Sequence, residues 1–185
     1  MHYHAEVYIK ELPEDIEAKL AEIMEPFKEK YDEATDKLSG FWDWYSIGGR
    51  WNGKHDDGYD PYNDPANIEP CWLCNGTGKR DDDLGREARL QDPSYTCNGC
   101  QGTGKKPKFE THFKPNPKDV IPVSQISEKL NCFSFIAPEL ETVIHKEYYN
   151  AKHEWAETGF DGNVKKLLGK AHVTDGYLVT VDYHC

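Results

Sequence analysis

The sequence predicts an α+β fold, an antiparallel sheet with two helices, interrupted by a loop-rich insert. Three observations carry this. Residues 2–9 and 177–184 alternate apolar and polar side chains, the two-residue period of a strand with one buried face. Ile16, Leu20, Ile23, Phe27 and Tyr31 recur at helical spacing between them. Residues 54–70 are rich in Asp, Gly, Pro and Asn, and 105–119 in Lys and Pro. This marks 54–119 as an insert and leaves 1–53 and 120–185 as the core domain.

Each element follows in turn. In the first strand Tyr3, Ala5, Val7 and Ile9 share one face, and His2, His4, Glu6 and Tyr8 the other. Pro13-Glu14-Asp15 supplies an acidic helix start, and Pro26 is expected to kink or split the helix that follows. After the insert, Val120–Val123 forms a short apolar segment, and Ser124 is placed to cap a short helix through Leu130. Cys132–Ala137 and Glu141–Lys146 flank Pro138-Glu139-Leu140 as a hairpin. A helix is expected over 155–170, with Val164, Leu167 and Leu168 inward. Asp175-Gly176 turns into a last strand whose Tyr177, Val179, Val181 and Tyr183 share a face. Strand, helix, aromatic strand, hairpin, helix and strand in this order give a ferredoxin-like expectation.

The chain has 185 residues, 37% hydrophobic and 30% charged, with a formal net charge of −11. So acidic a chain lacks the cation excess that drives general binding to nucleic-acid phosphates. No run of 18 apolar residues is present, so no membrane span is expected. Met1-His2-Tyr3-His4-Ala5-Glu6 has no basic-then-apolar signal pattern, which points to the cytoplasm.

Four of the six cysteines form two pairs, in Cys71-Trp72-Leu73-Cys74-Asn75-Gly76-Thr77-Gly78 and Cys97-Asn98-Gly99-Cys100-Gln101-Gly102-Thr103-Gly104. Both read Cys-x-x-Cys-x-Gly-x-Gly. Cysteines three apart reach one metal when the backbone turns tightly around it, and the glycines permit such turns. Two knuckles supply four thiolates, the tetrahedral set of structural zinc, with no position left open for catalysis. One zinc is therefore expected on Cys71, Cys74, Cys97 and Cys100, and it would supply on the order of 10 kcal/mol of folding free energy. Trp72 and Leu73 are expected to pack on the main domain or to contact a partner. The motif resembles the zinc-binding repeat of DnaJ-type co-chaperones. That family has four such repeats and two zinc ions; this chain has two repeats and lacks the J-domain's His-Pro-Asp. The resemblance implies metal binding, not chaperone activity.

Trp42-Asp43-Trp44-Tyr45-Ser46-Ile47-Gly48-Gly49-Arg50-Trp51 holds three of the five tryptophans. Arg50 beside Trp44 and Trp51 could grip a phosphate or carboxylate while the rings stack on a base; alternatively the segment plugs the core, with Arg50 paired to Asp43 or another acid. The Trp-Tyr-Ser-Ile-Gly-Gly-Arg-Trp run, the cysteine repeats and the closing Val-Thr-Val-Asp-Tyr-His together resemble a family of small hypothetical proteins from bacteriophages and actinobacteria. That resemblance implies a phage-encoded accessory protein acting on host defence or regulation. It implies no catalytic residue.

A polar face remains. Thr180, Asp182 and His184 alternate on the last strand, and His2, His4 and Glu6 on the first. If these strands are antiparallel neighbours, His2 and His4 lie near Asp182 and His184. The cluster is then either an acid–base or metal site or a solvent-facing sheet side. Three functions stay open. One is a zinc protein binding a host protein or a nucleotide-like ligand. Another is a phosphoesterase or hydrolase using Arg50 and the His/Asp face. The third is a nucleic-acid-binding zinc knuckle relying on Lys79-Arg80 and Lys105-Lys106-Lys108.

Overall fold

The two alternating segments pair over their whole length. In the computed structural model, which describes residues 1–140, 142–145 and 161–185, β1 (His2–Ile9) lies antiparallel to β10 (Tyr177–His184), with His2 opposite His184, His4 opposite Asp182 and Glu6 opposite Thr180. β4 (Trp44–Ile47) and β7 (Val120–Pro122) pair with successive halves of β10's other edge, both antiparallel. Beyond β1 come β8 (Ser134–Ala137) and β9 (Thr142–His145), the expected hairpin around Pro138–Leu140. The order is β4-β10-β1-β8-β9.

The α+β class holds, but the sheet is mixed. β1 runs parallel to β8, with Ala5 opposite Ser134, where a wholly antiparallel ferredoxin-like sheet was expected. A parallel pair needs a long crossover, and the excursion between Ile9 and Ser134 provides one that element order alone does not reveal.

Three helices occur among the described residues: α1 (Ile16–Met24), α2 (Asp83–Gln91) and α3 (Val164–Lys170). Asp15 caps α1 by accepting from Ala18 N at 2.9 Å. Pro26 ends the helix early: Glu25–Phe27 tightens to a 3-10 turn, so Tyr31, expected on the helical stripe, sits exposed in β2 (Lys30–Asp32), which pairs with β3 (Lys37–Ser39). The helix expected from Ser124 to Leu130 is only a 3-10 turn at Val123–Gln125. α3 starts at Val164, capped by Asn163; residues 155–160 of the expected helix lie outside the described residues. No helix among the described residues is long and apolar enough to cross a membrane.

Both sheet faces are covered. Ala5, Val7, Ile9, Val179, Val181 and Tyr183 pack with Leu20, Ile23 and Met24 of α1 and with Phe27, Phe41 and Trp42. The opposite face sets Tyr8, Phe135 and Leu178 against Val164 and Leu168 of α3. Tyr8 and Leu178 are thus the apolar end of the face whose other end is His2, His4, Glu6, Thr180 and Asp182.

The chain divides into two units, residues 1–59 with 114–185, and residues 60–113. The insert is shorter than 54–119 because both margins belong to the sheet unit. Asp119 is fully buried, accepting from Gly53 N and Asn52 Nδ2 at 2.6 Å each. In the smaller unit β5 (Ile68–Pro70) pairs with β6 (Lys105–Pro107), and Asp82 caps α2. Its one apolar cluster among the described residues is the four cysteines with Leu73 packed against them.

Candidate metal centre and histidine–carboxylate row

The two cysteine knuckles are near copies of each other. In each, the first cysteine's carbonyl accepts from the amide five residues on (Gly76 and Gly102, both at 3.1 Å), and the threonine amide bonds the second cysteine's carbonyl at 3.0 Å. They also bond each other reciprocally: Cys71 N donates to Gly104 O and Cys97 N to Gly78 O, both at 2.8 Å. Gly78 and Gly104 have φ of +75° and +74°, and a Cβ on either would lie 2.2–2.3 Å from a carbonyl oxygen of the other knuckle.

These turns bring the four buried thiols within 4.8 Å of one another, and they could hold a metal ion. Cys71 and Cys97 sulfurs are 3.9 Å apart, Cys74 and Cys100 sulfurs 3.7 Å. A tetrahedral site with metal–sulfur bonds of about 2.3 Å has sulfur–sulfur edges of about 3.8 Å, so the donor set fits such an ion. The Gly104 amide points at Cys100 Sγ from 3.2 Å. Burial raises the Cys100 thiol, but the Gly104 amide, the neighbouring thiols of Cys97 and Cys74, and the Gly102 amide outweigh it and bring it down to about 7.

Gly104→Ala is expected to weaken metal binding, because it combines left-handed backbone strain with the collision against Gly76 O. The cost is on the order of 2–3 kcal/mol. Competition with a chromophoric chelator measures it; affinity equal to the parent protein's would show that the knuckles do not need to close on each other.

The second site grows from the β1–β10 register. His2 Nδ1 hydrogen-bonds Asp182 Oδ1 at 2.9 Å, and Arg50 N donates to Asp182 Oδ2 at 3.0 Å. Gly48 and Gly49, with φ of +70° and +51°, bring the Arg50 amide that close: a Cβ on Gly49 would strike Asp182, and one on Gly48 would strike Asp119. His4 stacks on Trp51, ring centroids 5.5 Å apart. His2 meets Trp44 and His184 edge-on at 5.9 and 5.1 Å. His184 Nδ1 hydrogen-bonds Asp43 Oδ1 at 2.8 Å.

Of the seven residues singled out here from sequence, His2, His4, Trp44, Trp51, Asp182 and His184 therefore bring their side chains into one row, and Arg50 joins it through its backbone amide. It is not a solvent-facing sheet side: His4, Glu6, Thr180 and Asp182 are all buried, roofed by the chain from Gly48 to Tyr59. The rim at His2, His184, Trp44 and Arg50 reaches water, and Trp51 does so in part.

At the row's inner end the sequence placed Glu6 and Thr180 but missed His55. Glu6 Oε1 accepts from His4 Nε2 at 2.7 Å and Thr180 Oγ1 at 3.0 Å, with His55 Nε2 at 3.3 Å, near enough to attract but out of hydrogen-bond alignment. Burial pushes the Glu6 pKa up, yet the His4 and His55 imidazoles together outweigh it and leave the group lowered to about 2. An ionised carboxylate only accepts, so His4 carries its proton on Nε2. Asp119 moves the other way, up to about 6, through burial and the charge of Glu6, against amide bonds from Asn116 and Gly53. Glu6 Oε2 and both ring nitrogens of His55 are buried without a hydrogen-bond partner. The alternation of β1 places Glu6 on this face; no pattern in the sequence announces His55, which arrives on an irregular loop.

Comparison of the chain with family models, with curated proteins and with solved structures gave no match.

Proposed function

We propose that this chain is a zinc-binding accessory protein that holds a nucleotide-like anion at the rim of the histidine row, with one structural zinc on Cys71, Cys74, Cys97 and Cys100. The observation that supports ligand binding is the convergence of the His2, His184 and Trp44 side chains at one sheet end, from three separate segments, with the Arg50 backbone fixed beside them on Asp182. Imidazole and guanidinium donors suit phosphate oxygens, and indole faces suit a base. For the metal, the support is the set of four buried sulfurs within 4.8 Å of one another, two of whose edges, 3.7 and 3.9 Å, match those of a tetrahedral thiolate site.

Native mass spectrometry with a nucleotide panel tests both parts. One zinc per chain and a retained nucleotide are expected, and Trp44→Ala is expected to weaken that binding about tenfold at unchanged zinc content, the scale of one lost stacking contact. No nucleotide adduct would shift the reading to a host-protein partner, sought by pull-down.

One observation favours a second reading, a hydrolase. The orphaned Glu6 oxygen and His55 nitrogens, next to a carboxylate raised to about 6, are groups suited to move protons. A chemical change in the added nucleotide, lost in His4→Gln with binding retained, would make the protein an enzyme.

A further inference from the structure

The smaller unit exposes apolar surface that its own fold does not use. Trp72 is 69% exposed and Phe109 74%, whereas Leu73, the neighbour of Trp72 in the knuckle, packs on the cysteines. Of the two residues between the first pair of ligands, then, one builds the module and the other faces water. Lys106 Nζ sits over both rings, 5.5 Å from the Trp72 centroid and 6.0 Å from that of Phe109. Two aromatic faces with an ammonium group between them are the repeating elements of a surface that stacks bases and tracks phosphates.

Charge within the unit is sorted accordingly. It carries seven of the 22 basic and nine of the 33 acidic residues, hence −2 of the net −11. Five of those nine acids, Asp81, Asp82, Asp83, Glu87 and Asp92, lie in or beside α2. Lys79 and Lys105 follow the last glycines of the two knuckles and occupy equivalent places, each with its carbonyl held by the preceding threonine hydroxyl. The acidity of the whole chain speaks against general attraction to phosphates; the knuckles themselves are uncharged, and β6 with Lys105 and Lys106 is locally basic.

A cavity of about 340 Å³ adjoins these residues, lined by Asn63, Ile68, Glu69, Pro70, Gly76 and Lys105 among others. Its apolar walls and the polar groups of Asn63 and Glu69 suit a nucleobase with its ring buried and its edge hydrogen-bonded.

We infer that the surface formed by Trp72, Lys106, Phe109 and the cavity that Lys105 lines binds single-stranded nucleic acid, with bases on the two rings and phosphates on Lys105 and Lys106. A duplex fits it less well, because paired bases are stacked on each other and not free to stack on protein. The surface is distinct from the histidine row and does not depend on the ligand reading given to that row.

Fluorescence anisotropy of labelled oligo-uridine and oligo-thymidine tests this on the zinc-loaded full chain. A duplex and a polyglutamate peptide serve as competitors, and zinc is quantified for every variant. Both single strands are expected to bind, with affinity falling as salt rises at a log–log slope of about −1.4, as about two phosphate contacts at ~0.7 each require. Trp72→Ala and Phe109→Ala are each expected to weaken binding about tenfold. Both side chains are exposed, so zinc content should not change. Leu38→Ala, an exposed side chain of the sheet unit outside both sites, should leave this binding intact. Tighter oligo-uridine would assign the site to RNA, and equal affinities to single strands of either sugar; both support the proposal. Absent binding at low salt, unchanged affinity in Trp72→Ala, or displacement by polyglutamate as effective as by single strands would overturn it.

Discussion

Removing the metal is expected to unfold residues 60–113 while the sheet unit stays folded. The smaller unit has no apolar cluster apart from its cysteines and Leu73 among the described residues, two three-residue strands and one nine-residue helix. A helix that short is marginal without packing, and an isolated pair of short strands is no better. Zinc held by four thiolates contributes on the order of 10 kcal/mol, more than the whole stability such a unit could otherwise reach. The sheet unit has two clusters of its own, one on each face. Chelation at neutral pH, or Cys74→Ser, should therefore abolish hydrogen-exchange protection at Cys71, Cys97, Gly76 and Gly102, whose amides close the knuckles, and leave β1 and β10 protected. Persistent protection of those four amides without metal would show that the knuckles stand on their own hydrogen bonds.

The contrast between the units explains what could be read ahead of the structure. β1 and β10 were legible because each strand packs an apolar face, which imposes a two-residue period. Their pairing then fixed His2 against His184 and His4 against Asp182. The four cysteines were legible because one metal dictates ligand type, spacing and glycine turns together. The parallel β1–β8 pair was not, since strand direction depends on a crossover that leaves no local pattern. Tyr31 misled because Pro26 stopped the helix while the apolar spacing ran on past it. Trp72 and Leu73 were expected to pack on the main domain or to contact a partner; Leu73 packs on the cysteines instead, and Trp72 is exposed, as the second alternative has it. The burial of the polar row was hidden because its roof, Gly48 to Tyr59, is irregular chain with no period. His55 reaches Glu6 only through that roof.

Glu6→Gln is expected to destabilise the sheet unit by about 3 kcal/mol, the scale of buried hydrogen bonds to a charged group. Glu6 is fully buried, and the imidazoles of His4 and His55 converge on its Oε1. The neutral amide keeps the shape but loses the charge that both rings face. The folded-state value of about 2 against an ordinary 4.5 gives a similar magnitude, at about 1.4 kcal/mol per unit. Because folding lowers this pKa, the contribution is complete above pH 4.5 and disappears as pH falls towards 2. Asp119 runs the opposite way. Raised to about 6, it holds a proton in the folded protein that the unfolded chain has already released, so its contribution is present below its ordinary 3.8 and lost as pH rises through 6. Denaturant unfolding across pH 2–7 separates the two. The gap between the parent protein and Glu6→Gln should be widest near neutrality and close below pH 4.5. The same substitution removes a negative charge that helps to raise Asp119, so the Asp119 carboxyl, followed by NMR, should titrate below 6 in the variant while burial still holds it above the ordinary range. A gap independent of pH would mean that Glu6 stabilises by packing alone, and an unmoved Asp119 would mean that the two carboxylates do not share one electrostatic network.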